Sequence, residues 1–593
     1  MNRFLFTILT CFLLATTAWA DCARLRELTP EGAGVYGEVE GVKDSWQKLS
    51  EGELARRAQE FPPVARWKAI SLPAVKFLVG QISGQLGLEP QQLQHEVFGG
   101  SVLLAMWPEE RNGEWDGGGL LLVDAPNAAL LQAAVDGFNV ASQRAKELQS
   151  LEKLTHSGST YHVRHMRRNG KDSTEFIAVM GNIGVLTNRK SLMLRVLELH
   201  AQGTAPAGSI AAAPWYTVAL SQVHPQASVR LVLNPRPWSP MVLASLKKGM
   251  EEDPKSKPVA EAAQHLFESL DFAAASLDVS DGLGFQASVR FDSEKLGPLW
   301  AARLDAWGGE VAALDFVPRQ ALVVLAGRLD PAPLVEGMMP LLEEKELDDA
   351  KKLAAVAGAV TGGWKFWQEV VPNLGPNWAS FLVPSTTSQP GEIPVDWVTV
   401  LQVREPAPAD PTIAPLPVVM RNTLQMVMNV IAVAHNAEHA GRIATVKSIE
   451  KDGLHFSFIE GLSDLPANVV PSLTLSQGYL FLGTSREAIK HMARLSASDS
   501  LPQHSPWPRL FPASWKRPSH VAYFNLQATR TFLHDHRAQL IPALAAQKKV
   551  EPAQVERSLG QLQSILQLAD YLSLADKVDA QGISISVRWL TEK

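Results

Sequence analysis

The sequence predicts an α+β fold in which two homologous repeats each form a mostly antiparallel sheet with helices packed on it. Short segments with alternating apolar residues occur in hairpin-like pairs between helical stretches, which is typical of antiparallel sheets. The same series of segments occurs twice along the chain in the same order. No glycine-rich nucleotide loop follows any predicted strand, so a doubly wound parallel sheet is disfavoured.

The first element along the chain is an export signal over residues 1–20. Arg3 supplies a positive charge, residues 4–14 are almost all apolar, and residues 18–20 have the Ala-Trp-Ala sequence of a cleavage site. The apolar run is too short for a permanent membrane span. We predict cleavage after Ala20 and a periplasmic or extracellular location.

Cys22 lies next to this cleavage point, so a lipid anchor is the alternative to consider. Lipid attachment requires a small residue directly before the cysteine, and Asp21 occupies that position. The other cysteine, Cys11, is removed with the signal, which leaves one thiol and no internal disulfide. We therefore predict a mature chain that begins at Asp21 and carries no lipid.

The composition limits the classes of partner. The chain is 46% hydrophobic and carries 55 Lys and Arg against 61 Asp and Glu, a formal net charge of -6. Because no long basic run is present, nucleic acid is not an expected partner. The most apolar later segment, residues 418–436, contains Arg421, Asn422 and Gln425. We predict a helix with one buried face there and no transmembrane segment after signal cleavage.

The clearest evidence for two repeats is a pair of matching strands. Residues 284–291 have the sequence GFQASVRF and residues 582–589 have GISISVRW, 582 − 284 = 298 positions later. In both segments apolar and polar residues alternate, which indicates a strand with one buried face. Phe285 and Ile583 are predicted to face their cores, and Arg290 and Arg588 to face away from them.

Further matches follow in the same order and set the repeat boundaries. A strand that leads into a helix begins after Pro30 and after Pro318, and a second strand follows Gly99 and Gly375. We predict a first repeat over residues 21–291, a helical connector over residues 292–315 and a second repeat over residues 316–593.

This arrangement resembles a group of exported bacterial proteins known by a domain of unknown function. The strand starts after Pro30 and Pro318, the turns before the second strands and the LGTSREAIKHM segment carry the resemblance. It covers nearly all of the mature chain. The resemblance implies a fold and an envelope location, and it implies no catalytic residues.

One candidate for a metal site is the H-x-x-E-H pattern of His435, Glu438 and His439. The two histidines lie one helical turn apart and could ligate zinc, with Glu438 polarising a water molecule. The pattern resembles the pitrilysin-like peptidases, which also consist of duplicated α+β halves. That family needs a third carboxylate ligand from a later helix, for which Glu487 is the candidate.

Two observations favour a structural role for these histidines. In the peptidase family the motif lies early in the first half, whereas here it lies at the end of a helix in the second half, just before Gly441. In the first repeat the matching positions carry Ser142 and Lys146, which do not bind zinc. The alternative is that the histidines cap the helix C-terminus. We expect no metal and no cofactor.

Other candidate residues are weaker. His534 and His536, and likewise His162 and His165, are spaced so that the rings of each pair point to different sides. The 16 tryptophans raise the possibility of glycan binding, although core packing accounts for most of them.

The leading hypothesis is an exported non-enzymatic binding or scaffold protein of the cell envelope, with an unknown envelope protein or ligand as its partner. The alternatives are a zinc metallopeptidase that uses His435, Glu438 and His439, and a glycan or small-ligand binding protein with a cleft between the repeats.

Overall fold

The chain was analysed in a computed structural model. The structure describes residues 22–41, 45, 47–48, 51–61, 77, 79–108, 110–111, 114–115, 117–204, 206–252, 257–280, 282–333, 348, 352, 364–389, 392–406, 413–439, 443–463, 465–466, 468–512 and 514–592. The chain divides into two compact units, Met1–Lys295 and Leu296–Glu592. They are called unit 1 and unit 2 below, and each is described by itself.

Ten strands of unit 1 form an antiparallel sheet in the described part of the chain. They are β1 Val35–Val39, β2 Ser101–Trp107, β3 Gly118–Asp124, β4 Leu148–His156, β5 Ser159–Arg168, β6 Lys171–Met180, β7 Ile183–Thr187, β8 Val229–Leu233, β9 Leu270–Asp278 and β10 Gly282–Phe291. Within the unit their order across the sheet is β10-β9-β8-β1-β2-β3-β7-β6-β5-β4.

Ten described strands of unit 2 also form an antiparallel sheet. They are β11 Val323–Arg328, β12 Leu374–Pro384, β13 Val395–Val403, β14 Thr445–Lys451, β15 Leu454–Glu460, β16 Ser472–Ser476, β17 Tyr479–Gly483, β18 His520–Asn525, β19 Tyr571–Asp579 and β20 Gly582–Leu590. Their order is β20-β19-β18-β11-β12-β13-β17-β16-β15-β14, which is the order of unit 1 with ten added to each number.

Helices occupy corresponding places between these strands. The described α-helices of unit 1 are α1 Ala23–Leu28, α2 Glu53–Glu60, α3 Pro90–Gln92, α4 Ala128–Arg144, α5 Lys190–Gln202, α6 Pro214–Ser221, α7 Ser239–Glu252 and α8 Lys257–Ser269. Those of unit 2 are α9 Pro298–Trp307, α10 Leu416–Glu438, α11 Arg486–Ala493, α12 Leu526–Asp535, α13 Arg537–Lys548 and α14 Pro552–Leu566. The mixed helix and antiparallel sheet content confirms the predicted fold class at this level.

The register of the strands matches between the units as well as their order. Met106 lies opposite Val35 in unit 1, and Leu382 lies opposite Val323 in unit 2. Gly99 and Gly375 precede Met106 and Leu382 by the same number of residues, as the sequence comparison predicts.

The residues before each first strand also make matching contacts. Pro30 forms an antiparallel bridge with Ser209, and Pro318 forms one with Ser500. The peptide N–H of the residue after each serine donates to the carbonyl of the residue before each proline, at 2.9 and 2.8 Å. The two prolines that the sequence comparison aligns therefore hold the same place in their units.

Tight turns with glycine close several of the hairpins. Ser157–Gly158, Asn169–Gly170, Asp452–Gly453 and Gln477–Gly478 each place two consecutive residues at positive φ, between 47° and 77°. Two positive φ angles define the type I′ turn, whose twist matches that of the flanking strands. These local sequences therefore set the β4–β5, β5–β6, β14–β15 and β16–β17 connections.

The main core of each unit lies on one face of its sheet, which we call the inner face. In unit 1, Tyr36, Leu103 and Phe176 belong to this core together with residues of α1, α5 and α6. In unit 2, Val324 and Ala379 hold the positions of Tyr36 and Leu103 and belong to the corresponding core. The opposite, outer face is partly covered: α10 packs there against β15–β17 and residues of α12–α14 pack beside Val323.

The prediction for the matching final strands is wrong about which face is buried. Phe285 is exposed on the outer face, whereas Gln286 and Ser288 are buried on the inner face. Gln286 donates to the carbonyl of Gln222 at 2.7 Å, which satisfies this buried amide. Arg290 and Arg588 lie on the inner face in each unit, opposite Phe272 and Ser573.

The register also corrects the alignment of these strands by two residues. Phe285 lies opposite Leu277 of β9, which lies opposite Val229 of β8. In unit 2 the corresponding series places Ile585 opposite Asp576 of β19, which lies opposite His520 of β18. Phe285 therefore corresponds to Ile585 and not to Ile583.

The predicted connector helix, α9, belongs to unit 2. Just after this helix, Gly309 N–H donates to Val578 O at 3.2 Å.

Candidate functional site

The H-x-x-E-H segment lies at the C-terminal end of α10. His435 is buried, and its Nε2 accepts from the peptide N–H of Ser463 at 2.9 Å and lies 2.8 Å from the Ser463 hydroxyl. The His439 ring stacks on the His435 ring at 4.4 Å between centroids, and its Nδ1–H donates to the His435 carbonyl at 3.1 Å. The Nε2 lone pair that a metal would need is thus used within the protein.

The other residues of the zinc hypothesis are not gathered around these histidines. Glu438 is exposed and is the last residue of α10, while His439 is the C-cap residue. Glu487 lies at the start of α11, where its carboxylate pairs with Lys451 at 3.0 Å. Ser142, at the matching place in α4, accepts a hydrogen bond from Arg164 at 2.7 Å. The end of α4 is therefore tied to β5, and the end of α10 to the turn after β15, by polar contacts.

Among the remaining candidates, His536, His165 and Trp507 have structural contacts. His536 stacks on Phe532 at 4.5 Å, and His534 is exposed at the end of α12. His165 lies 3.5 Å from a carboxylate oxygen of Glu152. Trp507 is buried in the unit 2 core.

A cluster that the sequence did not indicate lies on the inner face of unit 1. We call it the Glu38 cluster; its members are Cys22, Arg26, Glu38, Glu40, Tyr216 and Arg230. Arg26 donates two hydrogen bonds to Glu38, both at 2.7 Å, and one to Glu40 at 2.9 Å. Tyr216 donates to Glu38 at 2.7 Å. Arg230 lies 2.7 Å from Glu40, at an angle outside the hydrogen-bond range.

The cluster fixes the N-terminal helix to the sheet. Arg26 comes from α1, Glu38 from β1 and Arg230 from β8, and Glu38 and Arg230 are directly opposite each other in neighbouring strands. Glu38 is 1% exposed, so it would carry a large desolvation cost without partners. Two guanidinium groups balance two carboxylates, and the cluster as a whole is neutral.

Burial and charge determine the protonation of the groups beside Glu38. Burial, followed by the Glu38 and Glu40 carboxylates, raises the pKa of the Cys22 thiol well above its usual value. Burial, followed by the Glu38 charge, likewise raises the pKa of Tyr216. Burial alone would lower the pKa of Arg26, but the hydrogen bonds and charge of Glu38 raise it instead. The thiol therefore remains protonated, which makes it a poor nucleophile.

Cys22, Glu38 and Glu40 place one sulfur and two carboxylate oxygens within 4.8 Å of one another, the only such set among the residues that the structure describes. A metal ion requires a thiolate and carboxylates with free charge. Here Arg26 and Arg230 neutralise both carboxylates, and the thiol is protonated. These donors do not fit a cation, and we assign no metal to them.

Unit 2 has no ionic pair at the corresponding position. The positions of Glu38 and Arg230 are held by Ala326 and Val521, which are buried and directly opposite each other. The same strand arrangement is therefore compatible with an apolar pair, so the fold alone does not require the ionic cluster. No short motif reveals the cluster, because Tyr216 and Glu38 are 178 positions apart in the chain.

A second buried ionic group lies beneath the end of α4. Arg164 donates to Glu175 at 2.5 Å and its guanidinium lies 4.0 Å from the centre of the Phe138 ring. Arg168 connects Glu175 to Glu147. Burial lowers the pKa of Arg164, and the Glu175 charge acts in the opposite direction. This group joins α4 to β5 and β6.

The helix α10 has a second notable property. Over its 23 residues it is long and apolar enough, by length and composition only, to cross a membrane. It packs in unit 2 through Val419, Met428 and Ala432, while other apolar residues of the same helix are exposed.

Comparison of the chain with protein-family models, with curated proteins and with solved structures gave no match.

Proposed function

We propose that this is an exported, non-enzymatic binding or scaffold protein of the cell envelope, built by duplication of one α+β unit. The observation that carries the proposal is an apolar outer face in the unit 2 sheet. Leu325, Leu574 and Ile585 are 40 to 50% exposed there. In an antiparallel sheet with a wet face, such positions are normally polar.

Leu325 and Leu574 belong to one row across the strands, and Ile585 lies on the same face of β20 two positions before Val587, the last member of that row. Leu325 lies opposite Ala522, which lies opposite Leu574, which lies opposite Val587, so a continuous apolar row crosses β11, β18, β19 and β20. In unit 1, Leu231 and Phe285 are exposed on the corresponding face. Contiguous exposed apolar surface is typical of interaction sites. It supports binding of an envelope protein through the outer face.

Two further features support the lipid-free N-terminus and the duplication. Cys22 is 0% exposed, and a lipid attached to its sulfur could reach a membrane only if Cys22 left the unit 1 core. A mature chain that begins at Asp21 without lipid is consistent with this burial. The shared strand order and register of the two units support their origin by duplication.

Site-specific photo-cross-linking in the native host tests the binding proposal. A benzophenone amino acid at Leu574 is expected to capture one defined partner, and Leu325→Asp is expected to remove the adduct. The same probe at Ala497, an exposed residue after α11, is the matched control. No adduct from Leu574, or the same adducts from Ala497, would contradict the proposal.

A further inference from the structure

The outward side of α10 is apolar over its C-terminal half. Met426, Val427, Val430, Ile431 and Val433 are 44 to 69% exposed. Their spacing of three and four residues places them on one side of the helix. We call these five residues the α10 stripe. Residues 422–437 contain no Asp, Glu, Lys or Arg, so removing the stripe from water would desolvate no charged side chain of this segment.

Polar contacts on the opposite side fix the rotation of the helix. Gln425 donates to Ser448 at 3.1 Å, and His435 contacts Ser463 as described above. The Asn436 side chain both donates to and accepts from the backbone of Ala444, at 2.9 and 2.6 Å. These polar groups point toward the sheet while the stripe points outward. A surface helix in water normally has polar residues on its outward side.

Helix α4 of unit 1 shows that the fold does not require this stripe. It follows β3 and precedes β4, as α10 follows β13 and precedes β14. Its exposed positions include Gln132, Asp136 and Gln143, and Val140 is its one large apolar residue that is exposed. The same place in the fold therefore carries an ordinary polar surface in unit 1.

The size of the stripe argues against a second copy of the chain as its occupant. Residues 426–433 extend about 12 Å along the helix, and a helix is about 10 Å wide. That is about 120 Å² in projection, whereas a stable interface needs about 800 Å² from each partner. A lipid bilayer has no such minimum, because each apolar side chain that enters it contributes separately.

We propose that the α10 stripe inserts into the surface of a lipid bilayer. The helix lies flat at the interface and does not span, because Met428, Ala432 and His435 on its other side remain packed in unit 2. The α10 stripe is a different surface from the apolar row of β11, β18, β19 and β20, so this inference does not depend on the binding proposal. Export to the envelope would bring the chain beside a bilayer.

Vesicle flotation of the purified mature chain tests the inference. Vesicles of phosphatidylethanolamine and phosphatidylglycerol at a ratio of about 3:1 are expected to carry the wild-type chain upward. Val430→Glu is expected to reduce the floated fraction at least tenfold, because the new charge would have to enter the bilayer. Val140→Glu in α4 is the matched control and is expected to float like the wild type.

A fluorescence measurement keeps the test valid if Val430→Glu fails to fold. An environment-sensitive dye on Val433→Cys is expected to shift to shorter wavelength with vesicles, while the same dye on Gln132→Cys is not. Failure of the wild type to float, or equal flotation of Val430→Glu, would overturn the inference. A dimer seen by light scattering and lost in Val430→Glu would also overturn it, since a second copy would then cover the stripe.

Discussion

Replacing Glu38 by alanine should destabilise unit 1 more than replacing Glu38 and Arg230 together. The double change, Glu38→Ala with Arg230→Val, installs the pair that unit 2 carries as Ala326 and Val521. The double variant loses one negative and one positive charge, so the remaining charges stay balanced. We therefore expect it to be more stable than Glu38→Ala, although it carries more changes.

The charge balance of the Glu38 cluster sets the magnitude. Glu38→Ala leaves Arg26 and Arg230 with Glu40 alone, a net buried positive charge, and removes the acceptor of three hydrogen bonds. Loss of one member of a buried ion pair costs about 3–5 kcal/mol. In the double variant Arg26 and Glu40 remain balanced. We expect it to recover at least about 2 kcal/mol of that loss.

Hydrogen exchange followed by mass spectrometry measures this separately for the two units. Peptides from β1 and β8 report opening of unit 1, and peptides from β11 and β18 provide an internal reference that should not change. Unchanged protection in Glu38→Ala would show that the cluster contributes little. If the double variant exchanged as fast as Glu38→Ala, the charge-balance argument would be refuted.

Three further predictions concern single groups. Burial lowers the pKa of His520, but its hydrogen bond to Asp576 outweighs this effect and raises the pKa. The stabilising contribution of His520 is therefore complete below about pH 6.5 and is lost as the pH rises through the folded pKa. Hydrogen exchange of β18 compared across that pH range should show this dependence in the wild type and not in His520→Gln. In a chain produced without residues 1–20, Cys22 should resist a thiol reagent in the native state and react once under denaturing conditions; labelling of the native chain would contradict its burial. Because His435 accepts from Ser463, elemental analysis should find no stoichiometric zinc, and zinc that is lost on replacing His435 by alanine would favour the peptidase.

Much of the fold could be predicted because it depends on local signals. Strand alternation, the turn residues and the order of the matching segments lie within short stretches of sequence. The positions of Pro30 and Pro318 and of Gly99 and Gly375 could be aligned on this basis, and strand pairing places them correspondingly.

The buried face of the last strands could not be predicted in the same way. Alternation shows that a strand has two different faces, and the usual assignment buries the apolar one. Here the inner face of β10 carries Gln286 and Ser288, while Phe285 on the outer face is exposed. The assignment fails because in this strand the apolar residues lie on the outer face and polar residues lie on the buried inner face. The Glu38 cluster was missed for another reason, since its members come from distant parts of unit 1.

The two units provide a comparison that a single domain cannot. Features that both units share, such as the strand order and the proline bridges, are those that the common fold requires. The Glu38 cluster occurs in unit 1, where unit 2 has Ala326 and Val521, and the α10 stripe occurs in unit 2, where α4 is polar. Neither is needed to form the sheet. Each therefore serves something other than formation of the sheet: the first fixes α1 to it, and the second lies at an outward surface.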